Sequence, residues 1–254
     1  MQRGLTYFLS DFHLGARYYS NPREVEMRVV NFLDSIKDRA KEIYLLGDIL
    51  DYWYEYRYVV PRGFTRFFGK IAELADSGVK IYWFIGNHDI WIFDYLPQEL
   101  GIEVVDGPVV REIDGKTFLL DHGDGVGPRK WSFRLMRKIF RNKVCQKLYA
   151  AIHPRWTIPF ALGWSRSSRQ SNGKTEPEYN GPDEYLEQFA ETYSGDRHID
   201  HFVFGHRHIM LSKDLKNGSH LTILGDWIHY NSYAVFDGKN LTLTTFTDKQ
   251  NSIG

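Results

Sequence analysis

Three short apolar runs in the first ninety residues each end in a knot of polar side chains. Residues 5–10 run into Asp11-Phe12-His13, 42–46 into Gly47-Asp48, and 79–85 into Gly86-Asn87-His88-Asp89. Runs of this length, rich in Tyr, Ile, Leu, Phe and Val, read as buried strands. Between them Val25, Val29, Phe32, Leu33 and Ile36 recur at helical spacing, as do Phe67, Phe68, Ile71 and Leu74. This alternation predicts βαβ units on a parallel sheet, where functional groups gather beyond the carboxyl ends of the strands. The polar knots fall there.

The second half carries further strand-like runs. Those at 109–113 and 117–120 flank Asp114-Gly115, a hairpin signal. Others lie at 201–204, 220–224, 232–236 and 241–246, with Asp237-Gly238 turning the last pair. They predict a second sheet, mostly antiparallel, packed on the first. The core is expected over 1–124 and 181–254, with 125–180 inserted as a helical cap. There are no internal repeats or low-complexity tracts.

Composition changes this picture in one place. The 254 residues are 43% apolar and carry no net charge, which fits an ordinary folded domain. Twelve of the 32 basic residues nevertheless lie between Gly125 and Thr175, where there is no Asp or Glu. The remainder holds twelve more acids than bases, so the inserted segment is the part suited to an anionic partner. Within it Trp131, Leu135 and Ile139, then Met136, Phe140, Val144 and Leu148, form an apolar stripe of helical period, with Arg134, Arg137, Lys138, Arg141 and Lys147 on much of the remainder. A basic amphipathic helix with Trp and Phe reads as a membrane-surface element. Cys145 is the only cysteine, which excludes an intrachain disulfide; it reads as a small buried apolar side chain. The first apolar run is too short for a signal peptide, and no run spans a bilayer. The expectation is a cytoplasmic protein, peripheral on the inner face of the membrane.

The chemistry lies in five knots: Asp11-x-His13, Gly47-Asp48-x-x-Asp51, Gly86-Asn87-His88-Asp89, His122-Gly123-Asp124 and Gly205-His206-Arg207-His208. Any one of them could be a polar turn. Converging on one place, they would leave carboxylates and imidazoles buried without compensation unless cations supply the missing charge. Nitrogen and oxygen donors without cysteine suit manganese, iron, zinc or cobalt, and the number of donors suits two divalent ions. Asp48 is the natural bridge between them. Asp11, His13 and His208 would complete one site, and Asn87, His122 and His206 the other. Such a pair acidifies a shared water and orients a phosphoryl group for attack. His88 would face the substrate as a hydrogen-bond donor, with Asp89 orienting its ring. Asp124 would order the His122 turn or face the substrate. His229, in Gly225-Asp226-Trp227-Ile228-His229, is a further candidate for the cleft.

These five motifs, in this order and each after a strand, resemble the calcineurin-like metallophosphoesterase superfamily. The resemblance covers about the first 124 residues and then 200–246. It implies an α/β fold, a four-layer α/β/β/α sandwich carrying the cap, and the ligand assignments above. Within the superfamily the chain is similar to the UDP-2,3-diacylglucosamine pyrophosphohydrolases of lipid A biosynthesis, through Gly47-Asp48-Ile49-Leu50-Asp51-Tyr52-Trp53 and the helical insertion between the last two histidine motifs. That resemblance implies a lipid-linked nucleotide as substrate, attack at the α-phosphorus, and a cap holding acyl chains. Ser165, Arg166, Arg169, Asn172 and Lys174 are then the expected contacts to phosphate and uridine. His88 stands where the best-known members of that family carry Arg. A broad-specificity phosphodiesterase or nucleotide pyrophosphatase, and a nuclease, stay open as alternatives, although no nucleic-acid or protein partner is expected. A protein phosphatase is disfavoured by Trp53, which stands where those enzymes usually present an arginine.

Overall fold

The computed structural model describes residues 3–127, 131–171 and 178–247. The chain opens with β1 (Leu5–Leu9), α1 (Pro22–Ile36), β2 (Ala40–Leu46), α2 (Thr65–Asp76) and β3 (Lys80–Phe84), followed by α3 (Tyr95–Leu100) and β4 (Glu103–Val105). The hairpin of β5 (Val109–Ile113) and β6 (Lys116–Asp121) leads into α4 (Trp131–Arg141), α5 (Lys143–Ala150) and α6 (Pro154–Ser171). After α7 (Tyr185–Glu191) come β7 (His201–Phe204), β8 (Met210–Asp214), β9 (His220–Leu224), β10 (Ser232–Phe236) and β11 (Leu241–Thr245). The short elements α3, β4 and β8 have no clear sequence signal.

The first sheet has the order β11-β10-β1-β2-β3-β4 and the second β5-β6-β7-β9-β8. Strands β1 to β4 are parallel, as the βαβ pattern predicts. The second sheet departs from expectation in two ways. Strands β6, β7 and β9 run parallel to one another, so it is mixed rather than mostly antiparallel. The long passage through α4–α7 brings the chain back to start β7 alongside β6, and such a crossover permits parallel pairing. Strands β10 and β11 also leave this sheet: β10 pairs antiparallel with β1, extending the first one. Alternation reveals which faces of a strand are buried but not which neighbour it pairs with.

The layers follow from alternation along the strands. Leu9, Ile43, Leu45 and Trp83 face Val29, Phe32 and Leu33 of α1 and Phe67 and Ile71 of α2. Their sequence neighbours Phe8, Tyr44, Leu46 and Phe84 point the other way, onto Phe118, Leu120, Val203 and Leu224 of the second sheet. The outer face of that sheet, with Leu119, Phe202, Phe204 and Ile223, is covered by Leu186 and Ala190 of α7. The result is the expected α/β/β/α sandwich. Phe8 stacks between Tyr44 and Phe118 at 5.2 and 5.6 Å and is fully buried, so truncating it would cost about 3–5 kcal/mol.

The cap differs from the single long helix its periodicity suggests. Asn142 ends α4 and caps α5, its side chain accepting from the Val144 and Cys145 amides. Cys145 is only partly buried. The aromatic residues after two of the polar knots fasten the cap to the core. Trp91 Nε1–H donates to the Phe140 carbonyl at 2.9 Å and Tyr54 O–H to the Gln146 carbonyl at 2.6 Å. The Tyr52 and Tyr149 hydroxyls meet at 3.1 Å, and Tyr56 bonds Thr157.

Candidate metal centre

The five knots meet where the carboxyl ends of β1, β2, β3, β6 and β7 converge. Their backbones are laced together: Asp11 N–H donates to Gly47 O, His13 N–H to Asp48 O, and Gly205 N–H to His122 O, all at 3.0–3.1 Å. Eight non-glycine residues among those described have positive φ, and five are Asp11, His13, Asp48, His206 and His208, at 46–67°. An L-residue in this region costs about 1–2 kcal/mol. Concentrated on one set of side chains, that cost marks positions held by function rather than by propensity. Two glycines make room: a Cβ at Gly86 would collide with Asp48 Oδ1, and one at Gly205 would lie 2.6 Å from Asp11 Oδ2.

Buried and half-buried side chains form groups whose potential ligand atoms lie within 4.8 Å of one another: Asp11, His13 and half-buried His208 in one, Asp48, His122 and half-buried His206 in another. Asn87 Oδ1 lies 3.2 Å from His122 Nε2 and joins the second. Asp48 faces both. Its Oδ1 accepts from the His88 amide at 2.8 Å, while Oδ2 lies 3.3 Å from His122 Nε2 and 3.7 Å from His13 Nε2. One oxygen therefore addresses the two groups. Asp11 is similarly divided: Oδ2 accepts from the His206 amide, and Oδ1 lies 3.6 and 3.5 Å from His13 and His208 Nε2. That Oδ1 is buried with no hydrogen-bond partner. An orphaned carboxylate oxygen facing two imidazole nitrogens is the arrangement a divalent cation satisfies.

The imidazoles are already oriented. His122 Nδ1–H donates to the Leu46 carbonyl at 2.8 Å and His208 Nδ1–H to Asp226 Oδ2 at 2.9 Å, while His13 Nδ1 lies 3.5 Å from Asp51 Oδ1. In each ring Nδ1 is tied from behind and Nε2 turns inward, the usual support of a metal-ligating histidine. Asp226 is the residue sequence reasoning missed; it lies in a run noted only for His229, with no histidine-motif spacing to mark it. It also binds His229, through Nδ1 at 2.9 Å and the backbone amide at 2.7 Å.

The electrostatics agree. Burial pushes Asp48 upward, but the neighbouring imidazoles of His122, His88 and His13 outweigh it and hold the carboxyl well below its usual range. Burial, helped by the charge of Asp48, raises Asp11 against the neighbouring imidazoles of His208 and His122. His122 stands well above its ordinary value because Asp48 and Asp11 outweigh its desolvation. Two buried carboxylates that draw an imidazole upward mark a pocket short of positive charge, which cations can provide in place of protons.

His88 packs edge-on to His13, its Nδ1 3.0 Å from the Asp51 carbonyl. Asp89 is placed differently from expectation. Its carboxylate accepts from the amides of Gly86, Ile49 and Leu50, tying two donor loops together, while Asp51 orients the His88 ring. Burial and the charge of Asp48 raise Asp89 to about 6. Together His13, Asp51 and His88 form a third group of ligand atoms. Asp124 is buried and pairs with Arg137 Nε at 3.3 Å, linking the His122 turn to the cap. Trp53 is buried and donates to Glu55. Ser165, Arg166 and Arg169 lie on α6, though nothing of their side chains is described; Asn172 and Lys174 lie outside the described residues.

Fold and donor set together define a phosphoesterase that binds divalent metal. The profile of the calcineurin-like phosphoesterases matches residues 5–210, and the chain belongs to that family. Among curated relatives, the UDP-2,3-diacylglucosamine hydrolase of Porphyromonas gingivalis is 47% identical over 98% of this chain and 100% of its own length. Those of Nitrosococcus oceani and Neisseria meningitidis serogroup A are 25% and 28% identical, over 87% and 90% of this chain and 87% and 91% of theirs.

Proposed function

We propose that this chain hydrolyses UDP-2,3-diacylglucosamine at its pyrophosphate, releasing UMP and 2,3-diacylglucosamine 1-phosphate. The end-to-end match to the P. gingivalis hydrolase carries the choice of substrate. The Asp48 oxygen shared between two donor groups supports the chemistry. Asp11, His13, Asp48 and His208 hold one divalent cation and Asp48, Asn87, His122 and His206 the second, with manganese the first choice and iron, zinc or cobalt alternatives. Such a pair polarises phosphoryl oxygens and acidifies the attacking water.

The rest falls to the chain. Asp48 fixes the spacing of the two groups, and Asp89 keeps the loops bearing Asp48 and Asn87 in register. His88 has Nδ1 committed to the Asp51 carbonyl, leaving Nε2 for the substrate. There it serves as a hydrogen-bond donor to the phosphate oxygen that gains charge as the bond from the α-phosphorus to the bridging oxygen breaks. Water adds its oxygen to the α-phosphorus, and the bridging oxygen departs with the β-phosphate. Ser165, Arg166, Arg169, Asn172 and Lys174 serve as contacts to phosphate and uridine.

The cap supplies the lipid specificity. Of the fourteen large apolar residues exposed among those described, eight fall between Trp131 and Phe160, each 45–75% accessible. Trp131, Leu135 and Ile139 of α4, Val144 and Leu148 of α5, and Trp156 and Phe160 of α6 turn outward rather than onto the core. Apolar surface gathered this way suits acyl chains and the inner face of a bilayer. No helix among the described residues is long and apolar enough to cross a membrane. The test is to incubate metal-loaded protein with UDP-2,3-diacylglucosamine, a soluble UDP-sugar and a nucleic acid, and to identify products by mass. The lipid substrate should be hydrolysed with kcat/KM roughly tenfold or more above the soluble sugar. Equal turnover of both, or preference for the nucleic acid, contradicts the assignment.

A further inference from the structure

Helix α4 divides into three faces at the period of an α-helix. Trp131, Leu135 and Ile139 look outward, Met136 and Phe140 lie inward with Phe140 against Trp91, and Arg134, Arg137, Lys138 and Arg141 share the third. These four cations line a cavity of 780 Å³, closed on the core side by Asp106-Gly107 and by Gly125 and Gly127 of the loop after β6. Arg137 pairs with Asp124 and Arg141 with Asp106, so two guanidinium groups are anchored in the wall. Arg137 makes its pair through Nε, whereas Arg141 pairs through its terminal nitrogen and keeps a buried Nε with no hydrogen-bond partner. Among the described residues no carboxylate pairs with Arg134 or Lys138. A Cβ at Gly125 would collide with the Arg137 guanidinium, so the loop is shaped around the cation.

Resting on the reading that the cap meets a lipid surface, we infer that this cavity is a binding site for the phosphate headgroup of an anionic phospholipid, distinct from the metal centre. Its two uncompensated cations give it the charge for such a group. Its volume exceeds what an inorganic phosphate fills. Its position beside the outward apolar face of the same helix lets a bilayer present the headgroup to the cations and the acyl region to Trp131, Leu135 and Ile139 at once. A soluble anion would gain nothing from that second face.

The experiment is vesicle sedimentation with the full chain and no substrate, comparing phosphatidylcholine vesicles with vesicles that also contain phosphatidylglycerol. The double variant R134Q/K138Q removes the unpaired charges, and K216Q/K239Q removes the same charge from exposed positions elsewhere. R134Q/K138Q should bind phosphatidylglycerol vesicles roughly thirtyfold more weakly, while K216Q/K239Q stays close to the parent chain. Both should bind phosphatidylcholine vesicles as the parent does. Equal losses in the two variants would mean a general charge effect and overturn the site. Unchanged vesicle binding by R134Q/K138Q overturns it too, whether that variant instead loses inorganic phosphate, duplex DNA or affinity for a soluble UDP-sugar. Binding here is read without turnover, so failure of the proposed hydrolysis would be seen separately.

Discussion

The strand-tip centre and the cap solve opposite problems. At the centre, carboxylates are buried, five donor residues hold positive φ, and His13, His122 and His208 each have an oxygen behind Nδ1. In the cap, apolar side chains are exposed on three helices fastened to the core by a few hydroxyl and indole hydrogen bonds. Each inverts the ordinary rule of burial: the centre calls for cations, and the cap, on the proposed function, for lipid. On that proposal, preorganisation is concentrated where charge develops in the reaction, and exposed apolar surface where the substrate has its bulk.

Breaking the centre should have the largest effect. Asp48→Ala removes the oxygen common to both donor groups, so metal content by elemental analysis and turnover should both be lost; retained activity would end the bridging assignment. His88→Ala should keep the metal content and lower kcat by roughly a hundredfold to a thousandfold, since it removes one donor to developing charge. Asp226→Asn leaves His208 without its charged support and should weaken metal affinity about tenfold to a hundredfold, with kcat largely restored at saturating metal. An unaltered metal titration would make Asp226 simply part of the loop. On the other side of the comparison, Trp131→Ser with Leu135→Ser and Ile139→Ser should reduce kcat/KM for the lipid substrate by roughly tenfold or more and leave a soluble diester unaffected. The smallest effect belongs to the fastening: Trp91→Phe loses one hydrogen bond to the cap, about 1 kcal/mol, read as a small fall in Tm and earlier proteolysis between 131 and 160.

The two regions also differ in how far sequence reveals them. The clustered histidines and carboxylates announce themselves because each follows a strand, most with a glycine turn; the seven proposed ligands lie together in the structure. Asp226 does not announce itself, because its role depends on where β9 sits relative to β7, a matter of sheet order that local pattern does not contain. The same blindness placed β10 and β11 in the wrong sheet. Asp51 rather than Asp89 meets the His88 ring because sequence adjacency is a poor guide when Asp51 arrives from a neighbouring loop. In the cap, periodicity found apolar stripes but not which of them would face solvent; that was decided by the aromatic seam from Tyr52 to Tyr56 and Trp91.

The most direct test of the paired centre is anomalous diffraction from crystals of the manganese-loaded protein. Two peaks should appear about 3.5–4 Å apart with the Asp48 carboxylate between them. A single peak, or one seated on His13, Asp51 and His88 instead, would contradict the account.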